Sequence, residues 1–106
     1  MVRDVAHVGE MQPLGRGAHG RSLIALDHGE ALPVVTRGER LPEIAAIACP
    51  VLDAERRVVG SIGISVPLYR FTAGTEALCV PLVLREAVVM TRDLGGDPAP
   101  LERAAR

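Results

Sequence analysis

Two long apolar runs dominate the pattern of hydrophobic and polar positions along the chain. They cover Ile44–Leu52 and Val58–Val66 and are rich in Ile and Val. The polar segment between them, Asp53–Arg57, has a length that suits a hairpin loop. We therefore predict a central antiparallel hairpin whose strands, almost wholly apolar or small, expose little surface to solvent.

A helical pattern follows the hairpin. Apolar residues recur three or four positions apart within 73–94, Thr72 precedes them as the predicted N-cap, and Gly95-Gly96 ends the pattern. Pro81 lies inside this stretch, and an interior proline removes a helical hydrogen bond. We expect either a kink at Pro81 or a helix that begins near it after a separate first turn.

The sequence of the N-terminal half predicts shorter elements. Met1–Gly9 predicts a short strand, and Ala31–Thr36 predicts another, which Pro33 places at a sheet edge or at the start of the strand. We assign a single domain to 1–96 and a tail to 97–106, which is either a frayed continuation of the last helix or disordered.

The stretch Gly15–Gly20 matches the pattern G-x-G-x-x-G of dinucleotide-binding loops. Its context does not fit such a loop, because Pro13 lies where the preceding strand should end and the later strands form a hairpin. We interpret it as a glycine-rich turn that leads into a short helix, Ala18–Leu26. The free amides at the start of such a helix are suited to an anion.

Composition narrows the classes of function. Aromatic residues make up only 2% of the chain, and the net charge of −1 comes from dispersed charges. Neither feature suits nucleic-acid binding, which depends on stacking platforms or basic surfaces. No apolar run is long enough to span a membrane, and the N-terminus lacks a signal-peptide pattern. We predict a cytoplasmic protein that contacts neither membranes nor, by this chain, nucleic acid.

The residues that could carry catalysis lack the expected arrangement. No serine lies in a G-x-S-x-G elbow, the histidines do not have zinc-ligand spacing, and Cys49 and Cys79 lie in apolar runs. His19 precedes Ser22 by one helical turn, but no third partner is evident. We predict no enzymatic activity, no metal and no cofactor.

Alternation along the second central strand separates two faces. The small and polar residues of one face are Ser61, Gly63 and Ser65. The aliphatic residues of the other are Ile62, Ile64 and Val66. We expect the aliphatic face to pack against the last helix. The small face either forms the floor of a ligand pocket or merely lets the other helix approach closely.

A family resemblance covers most of the chain, from Val5 to Gly96. The stretches that carry it are RGERLPEIAAIACPVLDAERRVVGSIGISVPLYRFT, PLVLREAVVMTRDLGG and VGEMQPLGRGAHGRSLIAL. They resemble the C-terminal effector-binding domain of IclR-type transcriptional regulators. The resemblance implies an α+β, GAF-like fold, with the antiparallel hairpin (44–52 and 58–66) flanked by a short helix (18–26) and a C-terminal helix (73–94). The chain lacks the family's DNA-binding domain and a segment between the glycine-rich helix and the acidic turn, so we expect a shortened effector domain.

The resemblance also implies a ligand site, carried over position by position. The implied ligand-binding residues are Ala18, His19, Thr36, Ala46, Gly63 and Ser65. Thr36 stands where the family has an acid, and neither Ala46 nor Gly63 brings a side-chain donor.

We therefore hypothesise a small-molecule effector-sensing domain of a transcriptional regulator, with a small carboxylate or aromatic acid as ligand and a homo-oligomeric assembly. A structural or dimerisation module that has lost its pocket is the alternative. A nucleotide-binding or enzymatic domain that uses the glycine loop is the third hypothesis.

Overall fold

The computed structural model describes residues 17–106, so the strand predicted within Met1–Gly9 lies outside the described residues. The elements, in chain order, are α1 (Gly17–Ser22), β1 (Val34–Arg37), β2 (Ile44–Leu52), β3 (Val58–Pro67), a 3-10 turn (Leu68–Arg70), α2 (Ala73–Asp93) and α3 (Ala99–Arg103). No helix in the described part of the chain is long and apolar enough to cross a membrane.

The predicted hairpin is present, with β2 and β3 paired antiparallel and a three-stranded sheet in the order β1-β2-β3. Its loop is shaped by Asp53, whose Oδ1 accepts hydrogen bonds from the backbone N–H of Glu55 at 2.9 Å and of Arg57 at 2.8 Å. Arg56 adopts a left-handed φ of 63° there. The α+β class and the position of the hairpin are confirmed.

The two faces of the sheet are covered by different helices. On one face, α1 lies against the sheet, and His19 and Ser22 reach Ser61 on β3. On the other face, Val83 and Ala87 of α2 pack in the buried cluster. From β2 the cluster also includes Ala45, Ile47, Cys49 and Leu52, and its remaining members are Ala25, Leu32, Val34, Phe71 and Leu101. Alternate side chains of β3 therefore face different helices, as predicted.

Helix α2 begins as predicted, because the Thr72 hydroxyl accepts a hydrogen bond from the N–H of Thr75 at 3.2 Å. The helix runs continuously through Pro81, so the expectation of a separate first turn is wrong. Proline lacks the N–H that would bond the helix carbonyl four residues earlier. Because Pro81 is exposed, water can bond that carbonyl instead.

Helix α1 and strand β1 differ from their predicted bounds. Helix α1 ends at Ser22, and turns continue to Gly29, whereas the prediction extended the helix to residue 26. Bonds between residues three apart replace the helical pattern, such as Ala25 N–H to the Ser22 carbonyl at 3.4 Å. Within residues 17–106, strand β1 lies at an edge of the sheet, as predicted from Pro33, but it begins at Val34 and not at Ala31.

The C-terminal segment packs against the core. Leu101 of α3 is fully buried, and the backbone of Leu32 exchanges hydrogen bonds of 2.8 Å with Ala104 and Arg106. This segment is therefore neither a frayed continuation of α2 nor disordered. The division of the chain into a domain over 1–96 and a tail remains a prediction.

Candidate functional site

The sheet face beneath α1 carries small and polar side chains in register. Thr36 pairs with Ala46, and Ala46 pairs with Ser65, so these three residues form one row across the sheet. Thr36 is buried, Ala46 is half-buried and Ser65 is exposed. The row therefore presents two hydroxyls on either side of a small apolar residue.

A compact polar cluster joins α1 to β3 on the same face, beyond the row that contains Gly63. His19 Nδ1 lies 2.7 Å from Ser61 Oγ, and Ser61 Oγ lies 2.7 Å from Ser22 Oγ. The Ser22 hydroxyl also donates to the His19 carbonyl at 2.9 Å. Ser22 is fully buried, so its hydroxyl depends on these protein partners.

The number of hydroxyl hydrogens sets the direction of every bond in the cluster. Ser22 uses its single hydrogen on the His19 carbonyl, so Ser61 must donate to Ser22. Ser61 then has no hydrogen left for the imidazole, and His19 must donate from Nδ1 to Ser61. The neutral imidazole therefore carries its proton on Nδ1 and keeps a free lone pair on Nε2.

The surroundings of His19 favour the neutral imidazole. Partial burial, and after it the positive charge of Arg40, lowers the pKa of His19 below its ordinary value of 6.5. Protonation would add the second hydrogen at Nε2 and leave the bond from Nδ1 to Ser61 intact. The cluster can therefore accept a hydrogen bond at Nε2 when neutral and donate one when charged.

An ion-pair network holds α1 on the sheet. Arg21 contacts Glu30 at 2.7 Å and Glu39 at 3.1 Å, and these carboxylates raise the pKa of the Arg21 guanidinium. Glu39 also accepts a hydrogen bond from the Gly17 N–H at 3.1 Å. The helix-start amide of Gly17, predicted to be suited to an anion, is therefore bonded to a carboxylate of the protein itself.

Gly63 is small because β3 lies very close to β2 at this position. A Cβ added to Gly63 would lie 2.2 Å from the Ile47 carbonyl oxygen and 3.0 Å from the Ala48 Cα. Both are backbone atoms, which cannot rotate out of the way. The element that lies close to Gly63 is therefore the neighbouring strand, and not the helix of the second interpretation.

The six predicted site residues fall into three groups. His19 lies in the polar cluster, and Ala18 is buried behind it in α1. Thr36, Ala46 and Ser65 share one row, and Gly63 lies in the next row opposite Ala48. Ser22 and Ser61 are not among the six predicted site residues, although the sequence placed Ser61 on the face offered as a pocket floor. The signal was present in the helical spacing of His19 and Ser22 and in the place of Ser61 on the small face of β3.

The described residues provide neither a group of metal ligands nor a reactive thiol at Cys49. Within residues 17–106, no group of three or more His, Cys, Asp or Glu side chains could hold a metal ion. Burial raises the pKa of the Cys49 thiol to about 12, so this thiol stays protonated. The hydroxyls and the imidazole on the α1 side of the sheet therefore remain the main candidates for ligand contacts.

Comparison with known proteins places these features in a family context. The family model described as bacterial transcriptional regulator IclR C-terminal matches residues 33–90. A crystal structure of a domain named as a candidate IclR-family transcriptional regulator is 28% identical, with a TM-score of 0.57 over 68% of this chain and 40% of that chain. A second crystal structure, named as a candidate IclR transcriptional regulator from a Silicibacter species, is 16% identical, with a TM-score of 0.74 over 91% of this chain and 51% of that one.

The chain spans about half the length of these solved relatives or less. A search of the curated proteins gives no match. The similarity to the second structure concerns the fold, and the match to the family model concerns the sequence from the start of β1 to the last turns of α2.

Proposed function

The chain belongs to the family of bacterial transcriptional regulator IclR C-terminal domains, and from this premise we propose that it senses a small organic acid on the α1 side of its sheet. The family membership confirms the predicted resemblance and GAF-like fold. It also agrees with the prediction that the chain is not an enzyme, because the family is one of regulators. The acid as ligand, the residues that bind it and a cytoplasmic location are our proposals.

This proposal rests on the hydrogen-bond directions in the cluster of His19, Ser22 and Ser61. Ser61, which in turn bonds Ser22, occupies Nδ1 of His19, so Nε2 is the ring nitrogen that remains for a ligand. A carboxylate only accepts hydrogen bonds, and it pairs best with a charged donor. The imidazolium of His19 supplies such a donor, and the nearby charge of Arg40 adds attraction for an anion.

The dimensions of the sheet face beneath α1 suit a ligand of one ring or a short chain. Ser61 and Ser65 are four residues apart on β3, or about 13 Å at the usual rise of a strand. Thr36 and Ser65 are two strands apart, or about 10 Å. Ala46, which is half-buried, lies between Thr36 and Ser65, so an apolar ring or chain can rest on its methyl group while its acid group reaches His19.

A thermal-shift series tests the ligand class. We expect benzoate and short aliphatic carboxylates to raise the melting temperature of the whole chain, whereas benzamide, a neutral match for benzoate, does not. A ligand at one hundred times its Kd should add about 2.7 kcal/mol to the free energy of unfolding. Replacing His19 by Ala should abolish the shift, and replacing His28 by Ala, in an exposed turn, should leave it intact.

The pH dependence of binding separates a carboxylate from other ligands. Because the pKa of His19 is low in the free protein, binding a carboxylate at Nε2 should draw in a proton, and affinity should rise as the pH falls through that pKa. Calorimetry in two buffers of different ionisation enthalpy measures this proton uptake. Affinity that is independent of pH, or that is unchanged by His19→Ala, would overturn the proposal.

A dimerisation module is the second candidate function, and a different surface favours it. Leu78 is 67% exposed and Leu82 is 43% exposed, and both lie on α2, away from the His19 cluster. Exposed leucines one helical turn apart are typical of protein contacts. Dimerisation and ligand sensing use opposite faces of the sheet, so one does not exclude the other.

A further inference from the structure

We propose that a groove between β1 and the first half of α2 binds a free amino acid with an apolar side chain. Arg106 holds the carboxylate of this ligand, and Glu76 and the backbone carbonyl of Ala77 hold its ammonium. The groove lies on the α2 side of the sheet, so this inference is independent of the proposed acid site on the α1 side.

The groove is an open cleft of about 350 Å³, which is within the size range of small-molecule sites. Thr36 lies on the α1 side of the sheet, so the next residue of β1, Arg37, points to the α2 side and lines the groove. Glu76 and Pro81 line it from α2. The groove therefore combines charged groups with an exposed helix surface, which suits a ligand with both polar and apolar parts.

Arg106 is anchored by bonds to the residues that precede β1. Its backbone N–H donates to the Leu32 carbonyl at 2.8 Å, and its Nε donates to the Pro33 carbonyl at 2.7 Å. A guanidinium has five N–H donors, and the bond to Pro33 uses one of them. The two terminal nitrogens form the fork that binds a carboxylate through two parallel hydrogen bonds. Arg106 therefore supplies an anchored cation for the acid group of a ligand.

Glu76 supplies the negative charge of the groove. Its Oε1 forms an ion pair with Arg37, whose guanidinium also lies 4.8 Å from the centre of the Phe71 ring. These two contacts fix Arg37, and Arg37 in turn orients the Glu76 carboxylate. An ionised carboxylate accepts hydrogen bonds through both of its oxygens, so Oε2 can accept one from the ammonium of a ligand.

Pro81 gives the same groove a backbone acceptor. In an α-helix each carbonyl points toward the N–H four residues later, and Pro81 has no N–H to offer the carbonyl of Ala77. Both residues are exposed and line the groove. A ligand ammonium can replace water at this carbonyl. Because Glu76 precedes Ala77 in the helix, the acceptor and the negative charge come from neighbouring residues.

Together these groups favour a zwitterion. An ammonium has three donors and no acceptor, which matches the Glu76 carboxylate and the Ala77 carbonyl, whereas a carboxylate only accepts, which matches Arg106. Ala73 and Val80 also line the groove, so an apolar side chain can rest on their methyl groups. A carboxylic acid without an ammonium would meet the charge of Glu76 and leave the Ala77 carbonyl to water. The groove therefore favours an amino acid over a simple acid.

Calorimetry with L-leucine as the probe tests the ligand class on the whole chain. Leucine should bind the wild type and His19→Ala equally, because the groove is separate from the acid site. L-Leucinamide lacks the carboxylate, and 4-methylpentanoate is leucine without its ammonium. We expect each to bind His19→Ala about tenfold more weakly than leucine does, the equivalent of one hydrogen bond to a charged group. Loss of leucine binding in His19→Ala, or equal binding of either analogue, would overturn the proposal.

Three variants locate the site, and circular dichroism confirms that each is folded. Arg106→Gln should weaken leucine binding about tenfold, whereas Arg103→Gln, which removes the same charge from an exposed arginine outside the groove, should not. Pro81→Ala restores the N–H that bonds the Ala77 carbonyl, so it should raise the melting temperature and yet weaken leucine binding severalfold. No binding of leucine by the wild type, or an affinity unchanged by both Arg106→Gln and Pro81→Ala, would contradict the assigned groove.

Discussion

The two strands of the central hairpin have nearly the same composition and very different surroundings. Strand β2 is buried at every position except Ile44 and Ala46, whereas every residue of β3 is at least partly exposed. Both consist almost entirely of aliphatic and small residues. Apolar composition therefore does not distinguish a central strand from an edge strand.

The difference arises from the neighbours that the fold supplies. Strand β2 has β1 and β3 at its edges, α1 over one face and α2 over the other. Strand β3 has a neighbour on one edge only within the described residues, and α2 lies mostly over β2. The exposed apolar side of β3 lies beside α2, and its polar side carries Ser61 of the proposed acid site.

The largest expected effect concerns two isoleucines that pair across the hairpin, one on each strand. Ile47 is fully buried and pairs with Ile64, which is 38% exposed. We expect Ile47→Ala to lower the free energy of unfolding by about 2–5 kcal/mol, because it leaves a cavity in the core. Ile64→Ala should cost much less in the monomer. Urea denaturation of both variants at low protein concentration makes the comparison, and equal losses would contradict it.

The next test concerns two glycines of β3. Gly63→Ala would place a methyl group against the backbone of β2, so we expect a loss of up to about 3 kcal/mol from the strand displacement it forces. Gly60 has open space around the same position and an ordinary φ. Gly60→Ala should therefore be nearly neutral or slightly stabilising. Thermal unfolding measures both, and a harmless Gly63→Ala would mean that the strands are not held so close.

A third test weakens the end of β2. The hydroxyl of the buried Thr91 accepts a hydrogen bond from the Leu52 N–H at 3.1 Å. Thr91→Val keeps the shape and leaves this N–H unsatisfied, which should cost on the order of 1–2 kcal/mol. Thr91→Ser retains the hydroxyl and serves as the control. If valine proves as stable as serine, the Leu52 amide must find another acceptor.

The smallest expected effect is the contribution of His19 to the pH dependence of the free energy of unfolding. The pKa of His19 is lower in the folded protein than its ordinary 6.5, so as the pH falls the unfolded chain takes up a proton first. His19 therefore contributes stability above pH 6.5 that is lost as the pH falls through the folded-state pKa. His19→Gln should flatten this part of the stability curve, and His28→Gln should not. Equal slopes for the wild type and His19→Gln would contradict the desolvated, neutral imidazole.

Features that depend on local chemistry were predictable from the sequence. The cap at Thr72 needs only the hydroxyl and the amide of Thr75, which lie within one turn. The hairpin bounds follow from the two apolar runs and the polar loop, in which Asp53 bonds residues a few positions away. The prediction for Pro33 likewise held, since a missing N–H restricts where a proline can stand in a sheet.

Features that depend on distant contacts were not predictable. Helix α1 ends early, and no local signal indicates that Glu39 and Glu30 would both bind Arg21 and hold the segment in place. The C-terminal segment looked like a tail, yet the burial of Leu101 and the bonds of Leu32 to Ala104 make it part of the core. Each contact joins residues far apart in sequence.

The sequence by itself determined the family, the central hairpin and the alternation of its faces, because periodicity and residue type act over neighbouring positions. The tertiary structure decided the rest. It made β2 the central strand of the described sheet, placed Ser61 between His19 and Ser22, and brought Gly63 against the backbone of β2. These outcomes required the strands and helices to be assembled, since burial and hydrogen-bond partners depend on which elements come together in space.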